Sequence, residues 1–302
     1  MAQECNEKSV GRSKLLVYKG YYFPPISTAS WIEEVQTTFK VRNTDIFITS
    51  MFKCGTHWLA HIIELLKSNK KLSAQIHDRT TFLEIPMLDE LPEDMSQYGA
   101  LSSIVPMKSE IAKMPAPRVF TTHFPFELLP FNPSAKYLYI YRNPKDVVLS
   151  AYNHFAGVKH RTFEGSFNDF FNYYLHTDFL GYFRHMKSYF EHKHLPNLYI
   201  LSYEELHRDF NTKLEEIASF LNYDLTADLY QMIVKETNFE TMQNNQFINN
   251  QFFMQEGRTF LNKGKVGYWK DSLTDEQSRK MEELLNEKLG EDFVRENILF
   301  EI

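Results

Sequence analysis

The sequence predicts an α/β fold: a single domain with a central, mainly parallel sheet flanked by helices. Four short apolar runs, at residues 45–49, 118–122, 137–141 and 198–202, lack the polar alternation of a half-exposed strand and read as strands buried on both faces. Three of the four lead into a segment of helical periodicity, and repeated strand-then-helix order is what builds a parallel sheet. No internal repeat, low-complexity tract or Pro/Gly/Ser-rich linker divides the 302 residues.

Each element has its own justification. After the first run, Trp58, Ile62, Leu65 and Leu66 share a helical face. After the third, Asn143 suits an N-cap, Pro144 the first helical position and Asp146 the third. After the fourth, Tyr203-Glu-Glu leads into Leu206, Phe210, Leu214, Ile217 and Leu221, read as one helix. Residues 69–117 read as peripheral helices and loops, 255–270 as a glycine- and lysine-containing segment, and 274–289 as a polar amphipathic helix. The expected division is a flexible tail over 1–14 and the folded domain over 15–302.

Composition narrows the function classes. With 33 Lys and Arg against 39 Asp and Glu, the formal charge is −6, which disfavours nucleic acid or an anionic membrane as the main partner. Cys5 and Cys54 are too few for a disulfide framework or a structural zinc site, and no metal-ligand cluster stands out. No apolar leader opens the chain and no run reaches the 18 or so apolar residues of a membrane span, so the expectation is a reduced, cytoplasmic protein. Aromatic residues make up 15% of the chain, enough for a large aromatic core or an aromatic-lined pocket for flat ligands.

Parallel sheets bind ligands beyond the carboxyl ends of their strands, here the loops after residues 49, 122, 141 and 202. The first, Ser50-Met-Phe-Lys-Cys-Gly-Thr-His-Trp58, joins a strand to a helix opening at Thr56. Its exposed N–H groups, the helix dipole and Lys53 suit a phosphate. It is not a Walker A loop, because Lys53 precedes a single glycine. On the third, Arg142 ends a buried strand beside a helix start, where a guanidinium can grip phosphate in two places. A P-loop kinase shares this layout but needs the Walker loop and a magnesium carboxylate that the sequence lacks.

These segments resemble the cytosolic sulfotransferases that use 3′-phosphoadenosine 5′-phosphosulfate (PAPS), of the sulfotransferase 1 family. Lys53-Cys-Gly-Thr-His-Trp58 is similar to their P-loop-like phosphosulfate-binding loop, Tyr141-Arg-Asn-Pro-Lys-Asp-Val-Val-Leu-Ser150 to their 3′-phosphate motif, and Thr122-His-Phe-Pro-Phe to the segment of their catalytic histidine. Tyr203-Glu-Glu-Leu206, Thr237-Asn-Phe-Glu-Thr-Met242 and Lys263-Gly-Lys-Val-Gly-Tyr-Trp-Lys270 also match in order, so the likeness runs from about residue 15 to 300.

The resemblance implies sulfuryl transfer from PAPS, leaving PAP, to a hydroxyl or amine of a small acceptor, with no metal. His123 is implied as general base and Lys53 as catalytic cation. Lys53, Cys54, Gly55, Thr56, His57 and Trp58 would hold the 5′-phosphosulfate. Arg142, Ser150, Leu261, Asn262, Lys263 and Gly264 would hold the 3′-phosphate, and Tyr203, Thr237, Phe239, Met242 and Phe260 the adenosine. Tyr22, Phe23, Phe82, Thr121, Phe124, His154 and Phe155 would lie near an acceptor that is aromatic or lipophilic. A histidine's unperturbed pKa near ~6.5 suits the base role.

Departures from the family pattern are specific. Met51-Phe52 replaces Tyr-Pro, Cys54 and His57 replace Ser and Thr, Thr121 replaces a lysine, and Asn262 replaces an arginine. They motivate an alternative, a sulfotransferase-like binding protein without turnover. Cys54, beside Lys53 and near a helix start, is expected to have a lowered pKa. In the family's dimer signature, Asp275 and Arg279 replace Val and Glu, so a monomer or weak dimer is expected.

Overall fold

The computed structural model describes residues 6–10, 13–24, 26–90, 105–159 and 163–298. A three-stranded antiparallel sheet comes first: β1 (Asn6–Val10), β2 (Ser13–Tyr18) and β3 (Tyr21–Phe23), ordered β1-β2-β3. β1 pairs antiparallel with β2, Val10 opposite Ser13 and Asn6 opposite Val17. The strand is too polar to show a buried-strand signal. Cys5 lies outside the described residues.

The main sheet holds β4 (Ile46–Ser50), β5 (Thr80–Phe82), β6 (Val119–Thr122), β7 (Lys136–Tyr141) and β8 (Leu198–Ser202), all parallel, in the order β5-β6-β4-β7-β8. The four predicted runs are its four longest strands. β5 has only three residues, two of them threonine, and escaped notice.

Helices α1 (Ala29–Thr37), α2 (Thr56–Ser68), α3 (Lys108–Lys113), α4 (Pro144–Gly157), α5 (Phe167–His176), α6 (Asp178–Phe190), α7 (Tyr203–Arg208), α8 (Phe210–Phe220), α9 (Ala227–Glu236), α10 (Phe239–Asn244), α11 (Asp275–Leu289) and α12 (Glu291–Asn297) cover the sheet. The expected cap of α4 forms: Asn143 accepts from the Lys145 N–H at 2.9 Å, with Pro144 at the first position. The single helix expected after β8 is two, because Asp209 leaves helical geometry (φ −131°, ψ 59°) to cap α8.

Strand alternation gives the sheet two unlike faces. Phe47, Phe120, Tyr137, Tyr139 and Tyr141 point into an aromatic core with α4, α5 and α6. Ile46, Ile48, Val119, Leu138 and Ile140 point into an aliphatic core with α2, α8 and α9. The aromatic residues thus mostly serve packing, and Tyr139 stacks on Tyr189 at 4.0 Å with their rings 2° apart. Buried Asp45 holds Arg118 in a two-point pair, Nε to Oδ1 at 2.9 Å, tying β4 to β6 beneath the site. Removing one partner would leave an uncompensated buried charge, at a cost of roughly 3–5 kcal/mol. No helix among the described residues is long and apolar enough to cross a membrane.

Candidate active site

The strand ends open on one cavity of about 740 Å³. Its floor is the turn from β4 to α2. Lys53 stands at φ +66° and Gly55 at φ +103°, folding the loop so that α2 begins at Thr56. A Cβ on Gly55 would lie 2.7 Å from the Tyr203 ring, so this close approach requires glycine. The Ser50 and Thr56 hydroxyls meet at 2.5 Å. The Lys53 ammonium lies 4.6 Å from the Phe260 ring centre, and burial, with the nearby Arg142 charge, lowers its pKa to about 8.

Arg142, at the end of β7, is buried between the Tyr203 ring, 4.3 Å away, and the carbonyl of Lys265, which accepts from Nη2 at 2.9 Å. Asp146, one turn along α4, takes the N–H groups of Gly267 and Trp269 at 2.8 and 3.0 Å and lies 3.7 Å from Arg142 Nη2. It thereby fixes the 263–269 loop against α4. Gly264 stands at φ +61°, where a Cβ would fall 2.0 Å from a Phe239 ring carbon. Ser150, Thr237, Phe239, Met242, Leu261, Asn262 and Lys263 line the same end, with Trp58 stacked on Phe210 (5.9 Å, 13°). Two buried donors here, Arg142 Nε and Trp58 Nε1, have no partner, and the two glycines leave a cradle for a ligand that brings acceptors and a flat ring.

His123 follows β6. Its Nδ1 lies 2.7 Å from the Ser50 carbonyl; a carbonyl can only accept, so Nδ1 carries the proton and Nε2 is left as the basic nitrogen. Burial, and more weakly Lys53, lower its pKa to about 4. The rings of Phe52 and Phe82 flank it at 4.4 and 5.1 Å. Buried Glu84 accepts from the His123 backbone N–H and, at 2.8 Å, from the Thr122 hydroxyl; desolvation raises its pKa to about 8.

Thr121, Phe155, His57, His154 and Phe260 also reach the cavity. Four sequence-predicted positions do not. Phe23 and Phe124 are fully buried and pack on each other at 5.5 Å, and Tyr22 packs against the same aromatic core. An aromatic residue near a pocket in sequence need not face it. Cys54 is fully buried, its thiol directed to the Phe52 carbonyl, and burial pushes its pKa up to about 12, the reverse of the expected lowering. Asp146, Glu84, Lys265, His77, Asn250 and Lys159 were not singled out as site residues. Asp146 showed only a helix-start signal and Lys265 only its place in the Lys263-Gly-Lys motif; the others gave no local one.

This layout, a helix start, a lysine and an arginine at the ends of a parallel sheet beside a histidine, suits a phosphate-bearing ligand. Residues 43–293 match the family model described as the sulfotransferase domain, and the chain belongs to that family. It is 29% identical to the amine sulfotransferase of rabbit (Oryctolagus cuniculus), across 92% of this chain and 91% of that one. It is 30% identical to sulfotransferase 1B1 of mouse (Mus musculus), across 94% of each. Among solved structures, retinol dehydratase in complex with retinol and PAP aligns with a TM-score of 0.75 at 25% identity, covering 96% of this chain and 92% of that chain. A mouse sulfotransferase complexed with PAP aligns at 0.72 and 27% identity, covering 93% and 96%.

Proposed function

We propose that the protein transfers the sulfuryl group of PAPS, in line, to the hydroxyl or amine of a small aromatic or lipophilic acceptor, with His123 as general base. The observation that carries this is the His123 tautomer. Ser50 holds the Nδ1 proton, so a basic Nε2 shares the cavity with Lys53 and the phosphate-binding helix start.

The nucleotide would be held by the α2 N-terminus, Lys53 and Thr56 at its 5′ end, by Arg142, Ser150 and Lys263 at its 3′-phosphate, and by Trp58, Tyr203 and Phe239 around its base. PAPS supplies an activated sulfuryl group whose S–O bond to phosphate breaks as the bond to the acceptor forms. His123 takes the proton that the acceptor loses. Lys53 and the loop N–H groups face the oxygen on which charge develops. The pKa of about 4 for His123 belongs to a cavity with an uncompensated Lys53 charge; an anion beside Lys53 raises it toward the useful range. The aromatic flank of Phe52 and Phe82 supports a flat acceptor.

The test is transfer of labelled sulfate from PAPS to phenols, amines and sterols, beside His123→Ala. The expected result is turnover by the native chain and a loss of at least ~100-fold in the variant, with PAP still raising the melting temperature of both. PAP binding without turnover on any acceptor would sink the transferase reading and leave a binding protein.

A further inference from the structure

One wall of the cavity gathers basic and hydrogen-bonding side chains that the proposed transfer step does not use. Three segments distant in sequence are laced into it by backbone bonds: Ile76 N–H to Phe247 C=O at 2.9 Å, Lys159 N–H to Phe253 C=O at 2.9 Å, and Gln255 N–H to Gly157 C=O at 2.9 Å. They bring His77, His154 and Lys159 to the cavity lining. His77 lies 5.9 Å from His57, while His57 and His154 lie 4.9 and 5.6 Å from Phe260, the ring that Lys53 also touches. Nε2 of His77 bonds Asn250 Oδ1 at 3.0 Å, and the buried Asn250 Nδ2 has no acceptor. Lys159 is exposed at the rim.

No free carboxylate among the described residues faces this wall. Among the described lining residues the one carboxylate is Asp146, already committed to Gly267, Trp269 and Arg142. The nucleotide end has Arg142, Lys263 and Lys265 as its own cations. We infer that this wall is an anion subsite, and that the acceptor carries a carboxylate-class group on the end remote from the reacting hydroxyl or amine.

The inference rests on the sulfuryl-transfer reading and narrows its acceptor. A carboxylate seated here meets the Asn250 amide and the ammonium of Lys159, and its charge favours protonation of imidazoles that burial and Lys53 keep neutral in the empty cavity. An ammonium tail would face Lys53, Lys159 and the histidines with no free carboxylate among the described lining residues. A neutral tail gains no attraction from the charges.

Three phenols of like size test it, used with PAPS and the full chain: para-hydroxyphenylpropionate, its primary amide, and tyramine. The expected kcat/KM is highest for the carboxylate, by about tenfold over the amide, and lowest for tyramine, with the advantage shrinking as salt is added. Lys159→Gln and His77→Gln should each cut the carboxylate-to-amide ratio about threefold or more and leave PAP affinity unmoved. Equal rates, a preference for tyramine, or variant effects that fall on PAP affinity would each overturn the subsite. Should no phenol be turned over while PAP binds, the transfer reading fails. Equilibrium binding of the same three compounds to the PAP-loaded protein then decides the subsite, for or against, by the same order.

Discussion

On one side of His123 the cavity is shaped by backbone: Gly55 and Gly264 at positive φ, the α2 N-terminus, and a loop pinned by the Asp146 carboxylate. On the other it is shaped by side chains, Phe82, His77, His154 and Lys159, delivered by segments that touch only in the folded chain. The first wall carries side chains as well, Arg142, Trp58 and Tyr203 among them, but its backbone leaves no room for a Cβ at Gly55 or Gly264. In the proposed reading the first wall takes the nucleotide and the second the acceptor.

The largest test of this contrast is Gly264→Val. Its Cβ would need φ +61° and the space held by the Phe239 ring, so PAP affinity should fall about 100-fold by calorimetry, with far-UV circular dichroism unchanged. An unchanged affinity would break the claim that backbone defines this wall. A middle-sized effect concerns Lys53. It is charged below about 8 and neutral above it, so PAP binding should weaken with rising pH, about tenfold between pH 7 and pH 9. A pH-independent dissociation constant would remove Lys53 from nucleotide binding. The smallest is Phe82→Leu, a near-conservative change 5.1 Å from the His123 ring. Acceptor kcat/KM should shift about threefold and PAP affinity not at all; a change in PAP affinity would erase the boundary between the walls.

The same contrast explains what could be read in advance. β4, β6, β7 and β8 were legible because strands buried on both faces are apolar without interruption, and β5 was not, because Thr80-Thr-Phe82 is short and lies at the sheet edge. The strand-to-helix turn at 53–58 and Arg142 at the end of β7 stood out in the sequence because each sits where a buried apolar run meets a helix start, and the structure brings both to the cavity. His77, Asn250 and Lys159 had no such signal: their meeting depends on hydrogen bonds between segments about 90 to 170 positions apart. Phe23 and Phe124 pack in the core and do not line the cavity, since type alone does not say on which side of a sheet a ring packs.

Trp58 carries a practical consequence. The chain has three tryptophans. Trp31 is buried with its Nε1 on the Leu83 carbonyl, and Trp269 lies under the Lys145 ammonium at 4.0 Å; neither lines the cavity. Trp58 does, stacked on Phe210 with its Nε1 unpartnered. Intrinsic emission from this chain therefore has one component facing the cavity and two that do not. Occupancy can be followed by light, without a label, while the acceptor is being consumed.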